Sequence, residues 1–263
     1  MSLIVTIYVR EGIVMASDSR IPGGMIKLGP NQTLPVGAGE PDANFNTFLT
    51  NKNVGISVYG AGDINSIPIG TYVDSFVNHE ANPKSLDVEQ AADEIIPFFQ
   101  KFKSPANIQF HVAGYKKSND VMEQQVWEIS VAEGRKRLLN QASHHGAAWG
   151  GETDILDRIF NQLYDVDPDG NATEMADFRI PWSHMSFDNA IDFAACAIST
   201  TETIMKFQPR PKSVGGSTDI LTIAANGAKW VKKKENLISK INKEGYFQGK
   251  PRKVVDVGHQ SGK

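Results

Sequence analysis

The order of hydrophobic patterns along the chain predicts an α/β fold, a four-layer αββα sandwich of two mainly antiparallel sheets. Three observations carry this. A hairpin pattern opens the chain, two helical patterns separate it from a second run of strands, and two more helical patterns precede a closing hairpin. Paired helices between runs of antiparallel strands fit two stacked sheets with helical layers outside. With 263 residues, 40% of them hydrophobic, the chain is long enough to bury such a core.

Leu3 to Val9 alternates branched apolar residues with Thr6 and Tyr8, and Ile13 to Ala16 resumes the pattern after Arg10-Glu11-Gly12. Ile21 to Asn46 is rich in Gly, Pro and Asn and reads as a strand fragment inside an enlarged loop. Asn53 to Asp63 (NVGISVYGAGD) is a short strand ending in glycines. Ile64, Ile67, Tyr72, Val73, Phe76 and Val77 then fit one helical face loosely, with Pro68 near its start. Ser85-Leu86-Asp87 opens a better helix, Val88 to Phe102, which Pro97 should bend.

Ile108 to Tyr115 and Gln124 to Val131 are strands joined by the polar KKSNDVME connection, and Arg137 to Leu139 extends the meander. Glu152 to Tyr164 places Ile155, Ile159, Phe160 and Leu163 on one helical face. Ser186 caps a long helix in which Ile191, Ala194, Ala195, Ile198 and Met205 recur at helical spacing. Asp219 to Ala224, an Asn226-Gly227 turn and Lys229 to Val231 close the fold. No internal repeat is present.

A net charge of −3 and a pI near 6.1 supply no global field for nucleic acid. From Lys229 to Lys253 the chain nevertheless carries nine Lys or Arg against Glu235 and Glu244. This divides it into a domain over 1–232 and a basic extension over 233–263, either a solvated tail or a docking surface for an acidic partner. Cys196 is alone, so no internal disulfide forms, a Cys-based zinc site is disfavoured, and its helix reads as buried. Leu3 to Val9 is too short for a signal peptide, and no long apolar run is present. A cytoplasmic protein without membrane partners is the expectation.

Ile4 to Arg20 (IVTIYVREGIVMASDSR) resembles the opening of proteasome β subunits and their bacterial relatives: a strand, a turn ending in Gly, then a strand closing on Ala-[Ser/Thr]-[Asp/Glu]-x-Arg, here Ala16 to Arg20. Asn53 to Asp63 is similar to the family's strand and Gly-rich turn. Gly150-Gly151 stands where the third helix opens, and Val214-Gly215-Gly216 precedes Asp219 as the family's Gly-Gly precedes its late strand. The resemblance implies the N-terminal-nucleophile (Ntn) hydrolase fold, self-assembly into a ring or related homo-oligomer, and a peptide or protein substrate.

In that family the first mature residue attacks through its hydroxyl, and its own α-amine is the base. A hydroxyl is a weak nucleophile, and an α-amine with a pKa of about 8 titrates close to working pH. Counting back from Asp18 by the family's spacing reaches Ser2, which becomes N-terminal once Met1 is removed. Met-Ser is also a common start in its own right. The catalytic set implied is Ser2, Asp18 and, as oxyanion donor, Gly60; Asp18 has the alternative of capping a turn or pairing with Arg20.

The family's lysine position falls at Asn46, its late acid at Pro211 and its late serine at Val214, and the serine before the third helix has become Trp149 or Gly150. Asn cannot supply a fixed positive charge, and Lys27 in the enlarged loop is the candidate substitute. Two readings therefore stand: a divergent hydrolase or acyl transferase, and a noncatalytic assembly subunit.

Asp165 to Asn171 (DVDPDGN) has the alternating carboxylates of a calcium loop, but its twelfth position is Ala176, so Asp165, Asp167 and Asp169 read mainly as an acidic turn. His144-His145 reads as a surface pair, and Trp127 and Trp149 as core or interface residues. No phosphate-cradling glycine loop is present, and no cofactor is expected.

Overall fold

The computed structural model describes residues 2–20, 45–65, 67–102, 107–141, 144–161, 164–175 and 180–234, and the backbone alone over 25–29 and 32–35. Strand β1 (Leu3–Val9) and β2 (Gly12–Ser17) form the opening hairpin, in register from Ile4↔Ser17 to Val9↔Gly12. Every residue of both strands is buried. Strand periodicity explains why both faces are needed: Leu3, Val5, Ile7 and Val9 join one core, while Tyr8 joins another.

Backbone strands β3 (Met25–Gly29) and β4 (Gln32–Pro35) pair within the enlarged loop. Then come β5 (Thr47–Leu49), β6 (Gly55–Gly60), and the two-residue strands β7 (Asp63–Ile64) and β8 (Ile67–Pro68). Helix α1 (Ile69–Phe76) starts after Pro68 and runs through a π-helical turn, Val77–Ala81, into α2 (Asn82–Lys84), which left-handed Ser85 ends. Helix α3 (Val88–Gln100) begins in a reciprocal capping box: Asp87 accepts from the Gln90 N–H and the Gln90 side chain accepts from the Asp87 N–H.

Strands β9 (Ile108–Ser118), β10 (Val121–Ser130), β11 (Arg135–Leu138) and β12 (Gly146–Gly151) follow, then α4 (Asp154–Phe160), β13 (Tyr164–Val166), β14 (Ala172–Glu174), α5 (Phe187–Lys206), β15 (Asp219–Ala224) and β16 (Gly227–Lys232). They build two five-stranded antiparallel sheets, ordered β12-β1-β2-β15-β16 and β11-β10-β9-β6-β5. Helix α5 packs on β1 and β2 through Ala190, Ala194, Ala197 and Ile198, and α3 packs on β9 and β10 through Ala92, Ile95 and Phe99. A third core unites Tyr8, Ile13, Met15 and Leu221 with Ala113 and Val126, residues drawn from both sheets.

Polar side chains also cross between the sheets. Thr6 Oγ1 meets His111 Nδ1 at 3.0 Å, and Thr47 donates to Ser17 at 2.8 Å while touching Ser57 at 2.9 Å. Strand register places Thr47, Ser57, His111, Glu128 and Arg137 in one row across the second sheet.

Several expectations are corrected. The KKSNDVME connection is mostly strand: β9 and β10 continue to a two-residue turn at Asn119-Asp120, both at positive φ as a type I′ hairpin requires. Helix α4 stops at Phe160, Ile159 is exposed and Leu156 fills the core instead; Leu163 lies outside the described residues. Cys196 is exposed on α5, because its neighbours Ala194, Ala197 and Ile198 occupy the buried stripe. The chain divides into units Met1–Lys233 and Lys234–Lys263; beyond Lys234, the basic extension lies outside the described residues. Among the described residues, no helix is long and apolar enough to cross a membrane.

Candidate active site

Ser2 is buried at the start of β1, and the peptide bond joining it to Leu3 is held on both edges. The Leu3 N–H donates to Asp18 Oδ1 at 2.9 Å, and the Ser2 carbonyl accepts from the Glu152 N–H at 3.1 Å. Gly151 makes the second contact possible. Its φ is +95°, and a Cβ there would stand 1.7 Å from the Ser2 carbonyl oxygen.

The two grips meet in one loop, Ser213 to Gly215. The Gly215 N–H donates to Asp18 Oδ2 at 3.0 Å, the Gly215 carbonyl accepts from the Ser19 N–H at 3.1 Å, and Ser213 Oγ donates to Glu152 Oε1 at 2.8 Å. Arg20 braces the same loop, donating to the Val214 carbonyl at 3.0 Å and pairing with Glu202 of α5. A circuit results, of hydrogen bonds closed by the chain itself between Ser213 and Gly215: Ser2–Leu3 peptide, Asp18, Gly215, Ser213, Glu152, and back to the peptide.

Asp18 is a buried carboxylate whose partners are backbone N–H groups of Leu3, Gly215 and Arg20. Among the described residues no lysine or arginine side chain bonds it. Desolvation therefore dominates and pushes its carboxyl up to about 7, against the pull of those three donors. Asn46 stands beside it, donating through Nδ2 to the Asp18 carbonyl rather than to the carboxylate. The side chain of Lys27 lies outside the described residues.

The turn-capping alternative for Asp18 and the positioning of Ser2 coincide in one side chain, since Oδ2 also accepts from the Arg20 N–H at 3.3 Å. The pairing alternative is corrected: the Arg20 guanidinium turns to Val214 and Glu202, where it lies on Gly215 so closely that a Cβ would meet it at 2.3 Å.

Gly60 ends β6 with φ +96°, and its Cα faces the Asn107 carbonyl, 2.1 Å from where a Cβ would lie. A Cβ there would meet only Asn107 among its nearest atoms, strand register pairs the residue with Ile108, and among the described residues no hydrogen bond joins it to Ser2 or Asp18. Val214 is fully buried, so the late loop contributes its polar side chain one position earlier, at Ser213. Glu152 and Ser213 were not legible as site residues. The one signal was a carboxylate directly after Gly150-Gly151, which reads equally well as a helix start. Trp149 Nε1 donates to Asp157 at 2.8 Å, and Gly150 lies under the Tyr59 ring, where a Cβ would meet it at 2.6 Å.

The DVDPDGN segment turns between β13 and β14, with Asp167 accepting from the N–H groups of Asp169 and Asn171 and from the Asn171 side chain. Those bonds hold its carboxyl below the usual range. Among the described residues no group of three His, Cys, Asp or Glu is arranged to hold a metal ion. Ala176 lies outside the described residues. His144 is exposed, and Trp127 is part-buried under the Lys136 ammonium, 4.4 Å from its ring centroid.

No protein-family model matches the chain, and no curated protein matches it significantly.

Proposed function

We propose that this chain is a divergent, proteasome-like Ntn hydrolase of four-layer αββα architecture that cleaves or transfers peptide amide bonds. Ser2 is the nucleophile once Met1 is removed. The single observation carrying this reading is the double grip on the Ser2–Leu3 peptide, which fixes the backbone of residue 2 where the resemblance requires a nucleophile.

The Ser2 hydroxyl attacks the substrate carbonyl carbon as the α-amine takes its proton, and the resulting oxyanion is met by the Gly60 N–H. Collapse passes the proton to the leaving amine and leaves an ester on Ser2, which water or an acceptor amine resolves. Asp18 acts by orienting the Ser2–Leu3 peptide through Leu3. The protein assembles with copies of itself, acts on peptide or protein substrates in the cytoplasm, and binds neither nucleic acid nor membrane.

Asn46 favours a second reading. Without the fixed charge of a lysine the hydroxyl is less activated, as in a noncatalytic assembly subunit. Intact mass before and after exposure to a β-lactone that acylates N-terminal Ser or Thr separates the two. Loss of Met1 with one adduct on Ser2 is the expected result; retained Met1, or a free Ser2 that never reacts, leaves the assembly subunit.

A further inference from the structure

The side chains that hold Ser2 in place reach beyond Asp18. Glu152 grips the Ser2 carbonyl through its own N–H, and its carboxylate is in turn held at two points: by Ser213 Oγ at 2.8 Å, and by the Arg210 guanidinium, 3.7 Å away. Arg210 also donates to Asp154 at 3.0 Å, in the first turn of α4. Ser213 is almost fully buried, and the Glu152 side chain is 14% exposed, so water competes little for this bond. Of the two grips on the Ser2–Leu3 peptide, Asp18 is anchored by Gly215 and Glu152 by Ser213, two residues apart in one loop.

We propose that Ser213 and Glu152 are positioning residues for Ser2: their hydrogen bond locks the Gly151–Glu152 turn to the loop that anchors Asp18, and so fixes where the Ser2 hydroxyl stands. The inference rests on the Ser2 nucleophile reading for its catalytic consequence, but the locking itself has its own observable. A peptide held by a donor on one edge and an acceptor on the other has one allowed position, and small displacements of a nucleophile are costly: about 1 Å can lower a rate on the order of 100-fold.

The test uses the full chain with Ser213→Ala, Ser213→Thr and Glu152→Gln, read in two ways. The first is the rate of Ser2 acylation by the β-lactone as a function of pH. Ser213→Ala should slow it by about 10- to 100-fold, Ser213→Thr should restore most of the rate by returning the hydroxyl, and Glu152→Gln should retain most of it by keeping an acceptor oxygen. The pH at which the rate reaches half its maximum should stay unchanged, since the pair orients Ser2 without being its base. The second is amide hydrogen exchange at Leu3 and Glu152, which Ser213→Ala should accelerate and Ser213→Thr should not.

Faster exchange at both amides in Ser213→Ala, with a wild-type protein that never acylates, would sustain the lock while removing Ser2 as nucleophile. Unchanged exchange and unchanged acylation in Ser213→Ala would overturn the proposal. An equal loss in the Ala and Thr variants would overturn it too, because packing rather than the hydroxyl would then be at work.

Discussion

At the scale of single residues, Asp18 carries both the geometry and the electrostatics of the N-terminal site. Its carboxyl is raised by burial to about 7 in the folded chain, above its ordinary value of 3.8. The folded state therefore holds a proton that the unfolded chain has released, and the stabilisation is complete below about pH 4 and lost as pH rises through about 7. Denaturation midpoints of the wild type should accordingly fall between about pH 4 and 7 relative to those of Asp18→Asn; parallel profiles would show that the carboxyl titrates normally. Gly151→Ala acts on the opposite edge of the same peptide. It would force a Cβ against the Ser2 carbonyl at positive φ, so a loss of about 1–3 kcal/mol is expected from backbone strain alone, measurable by chemical denaturation. Ser2 and Asp18 were legible because they lie at fixed spacing around a hairpin. Glu152 and Ser213 were not, because their partnership joins positions 61 residues apart.

Among the elements, local chemistry decided where helices begin more reliably than where they end. Asp87 and Ser186 were readable as starts because a short polar side chain can satisfy the free N–H groups of a first turn, and both do so. Asp87→Ala should cost about 1 kcal/mol by removing one half of the α3 capping box, seen as a lowered melting temperature; an unchanged value would mean that packing of Ile95 and Phe99 alone holds the helix start. Helix α4 shows the converse. Its apolar spacing continued to Leu163, yet the helix ends at Phe160 and the chain enters the β13–β14 hairpin, whose Tyr164 and Val166 are exposed. The same limit applies to β9 and β10. Polar residues at the hairpin tip looked like a loop because solvent-exposed strand ends need no apolar alternation.

For the whole molecule, the two sheets meet through an apolar core and a polar row, and His111 is the titratable group at their centre. It is fully buried, bonded at Nδ1 by Thr6, edge-on to Tyr59, and its Nε2 has no partner among the described residues. Burial, with the nearby Arg137 charge, lowers its pKa to about 4 from 6.5. The sign is opposite to that of Asp18: the contribution is complete above pH 6.5 and is lost as pH falls through about 4. Its full extent is on the order of 3 kcal/mol, and His111→Asn should flatten the acid side of the stability profile; an unaltered acid limb would place the loss elsewhere. By itself, the sequence determined the mixed α/β class, the hairpins and helix starts, and the Ser2–Asp18 spacing, because these depend on residues close along the chain. Only the tertiary structure decided that Cys196 faces outward, that Arg20 turns from Asp18 to the Val214 loop, and that Glu152 and Ser213 close the circuit around Ser2. Each of those depends on which distant backbone lies within about 3 Å of a side chain, a distance that folding sets and local pattern does not record.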